Sequence, residues 1–211
     1  PLDLVPKFRW ICGGMIEDGP WRKRLRPDPN RPLCVFFCGT LEPRKAPEIA
    51  LEVARRLAAE KIEWHVFGEG PMQAELEQRA AGLPQVRFHG HVSDLGERMS
   101  EADVLLLPSR GECLPLVLLM AMREGLAVIG SRVAGIPEAV VDGSTGICCA
   151  PDDIGAFTDA VRDLARNRGR CSEMGLASRR RYEAEFRPGR MLEKLIQFYE
   201  QPRQTAGVNP P

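Results

Sequence analysis

Glu112 is the residue of this sequence best placed to do chemistry. It lies in "PSRGECLPLVLLMAM" (108–122), between a short apolar run and Pro115, which opens an apolar helix. A carboxylate held in such a loop accepts hydrogen bonds from hydroxyl groups. The unpaired amides at the helix start, around Leu116 and Val117, favour an anion such as a phosphate. Ser109 shares the loop and adds a hydroxyl. A single loop glutamate is more often plain surface, so its weight depends on what stands near it.

Four other stretches could stand near it. In "CGTLEPRKAPEIA" (38–50) Gly39 and Thr40 follow an apolar run, and Arg44 and Lys45 precede a helix, a combination that suits phosphate. The bland reading makes both cations solvated helix-start residues. "FGEGPMQAEL" (67–76) makes a tight turn at Gly68 with Pro71 at a helix start. Its GxG is no dinucleotide fingerprint, because Gln73 stands at the third glycine and the first strand–helix turn lies elsewhere. "FHGHV" (88–92) sets His89 and His91 either side of Gly90; two ligands make no metal site, so one ring lies beside a cleft or both are structural. "SRVAGIPEAVVDGSTG" (131–146) brings Gly135 and Glu138, the latter either a helix-dipole charge or a second carboxylate facing the same cleft.

These residues need a frame. Near-continuous apolar runs at 33–38, 63–67, 86–89, 103–108, 127–130 and 146–149 predict strands covered on both faces. Amphipathic segments at 46–60, 71–81, 115–124, 135–140, 153–167, 171–185 and 188–200, with a short turn near 94–100, predict the helices between and after them. Alternating strands and helices imply a doubly wound parallel sheet, an α/β, Rossmann-like fold, and such sheets bind ligands beyond the carboxyl ends of their strands. Every stretch singled out above follows a strand. Residues 1–31, with the proline-rich "RLRPDPNRP", are read as the end of a preceding domain plus a hinge. Residues 32–186 form the binding domain, and 187–211 a terminal helix and disordered tail.

Composition narrows the field. Lys+Arg and Asp+Glu both number 29, so the zero formal charge gives no reason to expect a nucleic-acid partner. Seven cysteines, without CxxC spacing and mostly inside apolar runs, suit reduced, packed thiols in a cytoplasmic setting. No apolar run approaches the ~20 residues that span a bilayer. The basic run "RNRGRCSEMGLASRRR" (166–181) reads first as a solvated helix face, with peripheral membrane contact or docking to another domain as the alternative. The first residue is Pro rather than Met, which suggests a piece of a longer protein.

Read in order, "GTLEPRK", "VFGEGP", "FHGHV", "ADVLLLPSRGECLPLVLLMAM", "GIPEAVVDGSTG" and "RMLEKLIQFYE" resemble the carboxyl-terminal, donor-binding half of a retaining GT-B glycosyltransferase of the family-four type. The resemblance implies a domain that binds a nucleotide sugar, with the acceptor held by an amino-terminal domain of the same protein. It implies a hexose transferred from a UDP- or GDP-sugar to a glycan or lipid-linked acceptor. Lys45 then matches the pyrophosphate lysine, Glu112 the first carboxylate of an E-x7-E motif that contacts the sugar, and Leu116 and Val117 the backbone donors to phosphate. His91 and Val92 fall where the family places the base. No metal is expected, since cationic side chains and helix amides would neutralise the leaving diphosphate. Two positions depart from the pattern: Thr40 stands where an arginine is frequent, and Met120 where the second, ribose-binding glutamate would fall. A thioether cannot replace that charged acceptor, and Glu124, one turn on, is the nearest substitute. These departures support an alternative reading as a non-catalytic binding or scaffold module. A GT-B epimerase shares the topology without predicting these loops.

Overall fold

A computed structural model describes residues 31–200, apart from the side chain of Phe198. Six strands, β1 (Leu33–Cys38), β2 (Ile62–Phe67), β3 (Val86–Gly90), β4 (Val104–Leu107), β5 (Ala127–Ser131) and β6 (Gly146–Cys149), form one sheet in the order β3-β2-β1-β4-β5-β6. Every pairing is parallel. The connecting segments are α1 (Pro47–Arg56), α2 (Gln73–Ala80), α3 (Leu95–Arg98), α4 (Leu116–Glu124) and α5 (Ile136–Ala139). Three longer helices follow the sheet: α6 (Ile154–Arg166), α7 (Arg168–Arg181) and α8 (Pro188–Glu200). A wider, π-type turn at Tyr182–Phe186 joins the last two.

The sheet is apolar on both faces because period-two strands divide their side chains between two cores. In β1, Leu33, Val35 and Phe37 enter one core with Ile49, Val53 and Leu57 around α1 and Phe157, Val161 and Leu164 of α6. Cys34, Phe36 and Cys38 enter the other, with Leu118, Leu119 and Met122 of α4 and Ile136 of α5. This two-sided burial explains the unbroken apolar strands of the sequence. Side chains also set helix starts: Asp153 accepts from the Ala156 amide and Asn167 from the Arg170 amide. Gly125, at φ 75°, ends α4 in the left-handed conformation suited to glycine.

Residues 1–30 and 201–211, assigned above to a preceding domain with hinge and to a tail, lie outside the described residues. The elements match the expected ones to within a few residues, with one difference of substance. The last predicted helix but one, 171–185, begins at Arg168 and gives way to the π-type turn. The basic run 166–181 keeps Arg166, Arg170 and Arg180 exposed, as a solvated face would, while most of its arginines also have partners. Arg166 pairs with Glu60, Arg168 with Asp103, Arg170 with Asp163 and Arg179 with Glu183. Arg181 donates to the carbonyls of Glu138 and Ala139 at the end of α5. Arg168, Arg179 and Arg181 are the partly buried members of the run.

Candidate functional site

The strand order reverses between β1 and β4, the point at which open parallel sheets form a ligand crevice beyond their carboxyl ends. The β1–β4 ladder contains only Val35–Val104 and Phe36–Leu105, so the last two residues of each strand lie outside it. The loop after β1 (39–46) and the loop after β4 (108–115) leave from those two strand ends. Each carries one of the principal residues expected from the sequence.

Lys45 Nζ donates to Glu112 Oε1 at 2.6 Å. Ser109 Oγ donates to the same oxygen at 2.8 Å, and Arg44 Nη1 lies 4.0 Å from Oε2. The Glu112 side chain is only 5% exposed and that of Lys45 17%. Burying a carboxylate this far requires such compensation, and one ammonium, one hydroxyl and one guanidinium supply it. Arg44 is the outermost of the set; it also holds Glu42 and donates to the Gly111 carbonyl at 3.2 Å. Glu112 leads into α4, whose preceding residue, Pro115, offers no side-chain cap. Leu116 is exposed and Val117 partly buried at that helix start.

Backbone packing fixes the rims of the crevice. Gly68 has φ 123°, and a Cβ there would come within 2.0 Å of the Gly39 carbonyl oxygen. The tight turn after β2 is thus a support for the loop that carries Lys45. A Cβ on Gly135 would meet the Cys113 carbonyl oxygen at 1.8 Å, so the start of α5, which bears Glu138, lies against the Glu112 loop. Thr40 is exposed on the rim. Non-glycine residues with positive φ among the described residues are Ala46 (51°), Ala134 (41°) and Asp152 (61°). Each follows a strand on the carboxyl side of the sheet, and such strain collects at functional sites.

The two histidines of "FHGHV" part company. His89 Nε2 and His65 Nδ1 of the adjacent strand are 2.9 Å apart, and their rings stack with an interplanar angle of 5°. Desolvation, first of all, holds both below the ordinary histidine pKa, helped by Arg87 at His65 and by the His65 ring at His89. His91 is exposed, and its amide donates to Glu69 Oε1 at 3.2 Å. Val92 packs into the second core.

Met120 is partly buried against that core with Val92, Leu95 and Val117, its Cε close to Gly96. Toward α3, α4 thus presents a thioether at Met120, with the Arg123 guanidinium beside it, and no carboxylate at that position. Glu124 does not make up the loss: its side chain is 4% exposed and paired with Arg123 at 2.8 Å. It is drawn inward by that guanidinium rather than presented to the crevice.

Sequence reasoning alone does not find Arg110. Its guanidinium donates to Asp152, Glu48 and the Pro43 carbonyl. Nor does it find Glu69, the acceptor of the His91 amide. Nothing in the spacing of either residue marks it, because the partners come from loops brought together only by the sheet.

The geometry agrees with the comparisons to known proteins. The family described as glycosyl transferases group 1 matches residues 32–167, more than half of the chain. A D-inositol 3-phosphate glycosyltransferase of Geodermatophilus obscurus is 33% identical over 183 residues, covering 78% of this chain and 39% of its own length. The chain thus spans about two fifths of that relative. A Staphylococcus aureus TarM variant crystallised with UDP superposes with a TM-score of 0.77 at 16% identity, over 88% of this chain and 38% of TarM. The carboxyl-terminal domain of LpcC, a group 1 glycosyl transferase from Francisella tularensis, superposes with a TM-score of 0.69 at 22% identity, over 75% of this chain and 89% of that domain. The family match over residues 32–167 makes this chain a member of the glycosyl transferases group 1 family, and its six-stranded parallel sheet has the fold of a GT-B carboxyl-terminal domain.

Proposed function

We propose that this domain binds a nucleotide sugar and presents it for transfer of a hexose, with retention, to a glycan or lipid-linked acceptor held by an amino-terminal domain of the full-length protein. The observation that carries the reading is the Lys45–Glu112 pair at the mouth of the crevice, beside the uncapped start of α4. Before the donor arrives the ammonium and the carboxylate satisfy each other. A diphosphate brings stronger negative charge, so Lys45 turns to it, joined by Arg44 and by the amides of Leu116 and Val117. Glu112, still held by Ser109, is then left with an oxygen for a sugar hydroxyl. As the diphosphate leaves, the charge it gains is met by those cations and amides. The TarM complex holds UDP, which favours a uridine donor over GDP. Gly39, Gly68 and Thr40 line the diphosphate side, Met120, His91 and Val92 the nucleoside side, and Glu138 the sugar side.

Met120 favours a second reading, a donor domain that has lost catalysis and serves as a binding or scaffold module. Loss of two hydrogen bonds to a charged acceptor costs on the order of 2–4 kcal/mol of donor binding. Calorimetric titration with UDP- and GDP-hexoses, on the wild type and on Met120→Glu, separates the two. Micromolar binding by the wild type, little improved by Met120→Glu, removes the loss of donor binding on which the second reading rests and supports the transferase. Binding that is absent from the wild type and appears only with Met120→Glu supports the scaffold and removes the transferase.

A further inference from the structure

We infer that Arg110 is a positioning residue, which sets Lys45 and Glu112 in register for a diphosphate without touching it. This inference rests on the function proposed above.

Arg110 lies two residues before Glu112, and its guanidinium reaches three separate segments. Nε donates to Asp152 Oδ1 at 2.8 Å, Nη2 to Glu48 Oε1 at 2.6 Å and Nη1 to the Pro43 carbonyl at 2.5 Å. Its own amide donates to the Arg44 carbonyl at 2.8 Å, and Arg44 Nη1 returns a bond to the Gly111 carbonyl at 3.2 Å. The segments joined are the loop after β1, the first turn of α1, the loop after β4 and the turn after β6. Two of the three non-glycine residues with positive φ among the described residues, Ala46 and Asp152, belong to the tied segments. Pro43 is two residues before Lys45, so one side chain sets the spacing of both principal site residues.

The Asp152 contact is poorly explained as a stability device: the Arg110 side chain is 39% exposed and that of Asp152 56%, and a pair so open to water contributes little. The Glu48 carboxylate, 21% exposed, is compensated by Arg110, so that contact both stabilises and positions. What a forked guanidinium with three fixed acceptors supplies is geometry; a lysine ammonium has its three donors on one nitrogen and cannot reach all three acceptors from those directions. Preorganised loops bind more tightly because less ordering remains for the ligand to impose. Glu48 reinforces the assignment: its Oε2 is buried without a hydrogen-bond partner among the described residues, so its carboxylate depends on Arg110.

The test is UDP affinity, by calorimetry on the full chain, for the wild type, Arg110→Met, Arg110→Lys, Glu48→Gln, Lys45→Ala and the Arg110→Met/Lys45→Ala double variant. Residues of one hydrogen-bond network act non-additively. Arg110→Met should weaken UDP binding about tenfold with Lys45 present and less than about threefold without it, a coupling in the range found for such networks. Arg110→Lys should not rescue, and Glu48→Gln should weaken binding in the same direction while altering no cation. Equal losses in both backgrounds would mean that Arg110 acts generally on the fold, and they overturn the inference. So does Arg110→Met binding within threefold of the wild type. If the wild type binds neither UDP nor GDP at millimolar ligand, the proposed function itself falls, and this inference with it.

Discussion

Lys45 and Glu112, 67 positions apart in sequence, meet at 2.6 Å across the point where the strand order of the sheet reverses. The carboxylate is nearly closed to solvent, and the ammonium is the nearest of the cations that neutralise it. The ion pair closes one loop onto the other, and under the proposed function it is the contact a diphosphate must open.

Removing one partner therefore costs stability as well as binding. Lys45→Ala leaves Glu112 with Ser109 and a guanidinium 4.0 Å away, and a buried charged acceptor so deprived costs about 1–3 kcal/mol. Urea unfolding should show that loss. The Lys45→Ala/Glu112→Gln double variant should recover part of it, since the uncompensated charge has gone. A double variant no more stable than Lys45→Ala would show that the pair is not coupled.

Glycine positions at the rim predict larger effects. At Gly135 an added Cβ meets backbone at 1.8 Å, and at Gly68 it meets backbone at 2.0 Å with φ already at 123°. Neither neighbour is a flexible side-chain tip, so Gly68→Ala and Gly135→Ala should each destabilise by about 2 kcal/mol or more. Thermal unfolding measures this, and a shift below one degree in both would contradict the packing described.

Strained alanines point the opposite way. An L-residue in the left-handed region costs about 1–2 kcal/mol, while glycine costs about 0.5–1 kcal/mol through unfolded-chain entropy. Ala134 is exposed, so Ala134→Gly should gain about 0.5–1 kcal/mol. Ala46 is fully buried, and losing its methyl costs about 0.8 kcal/mol, which cancels the relief. The two substitutions should differ in chemical denaturation, with Ala134→Gly the more stable.

Acid sensitivity should arise at the stacked histidines. His65 and His89 are held below the ordinary value, so the unfolded chain takes up protons at higher pH than the folded one. Stability is then full above the unfolded histidine pKa of about 6.5 and falls as pH drops through it toward the lower folded values. Melting temperature followed from pH 8 to 5 should decline below that point, and His89→Phe should flatten the decline. Identical slopes for the two proteins would contradict the burial argument.

Much of this was legible in the sequence because the strands are buried on both faces and their apolar runs are unbroken. β1 and β6 fall on the residues expected, and Lys45, Ser109 and Glu112 all lie at the crevice. What stayed hidden depends on pairings between distant loops. The role of Arg110 requires Pro43, Glu48 and Asp152 to arrive together, and the His65–His89 contact requires the register of β2 against β3. The partners of Arg168 and Arg181 in α7 stay hidden for the same reason, since Asp103 and the carbonyls of α5 lie on other elements.

Titration of UDP into the wild-type chain and into Lys45→Ala tests the central claim most directly. The account predicts micromolar binding by the wild type and a loss of at least about tenfold in Lys45→Ala, the size expected when a charge-assisted contact of about 1.5–3 kcal/mol is removed. Equal affinity in the two proteins would contradict it, for the ammonium paired with Glu112 would then not be the group that meets the diphosphate.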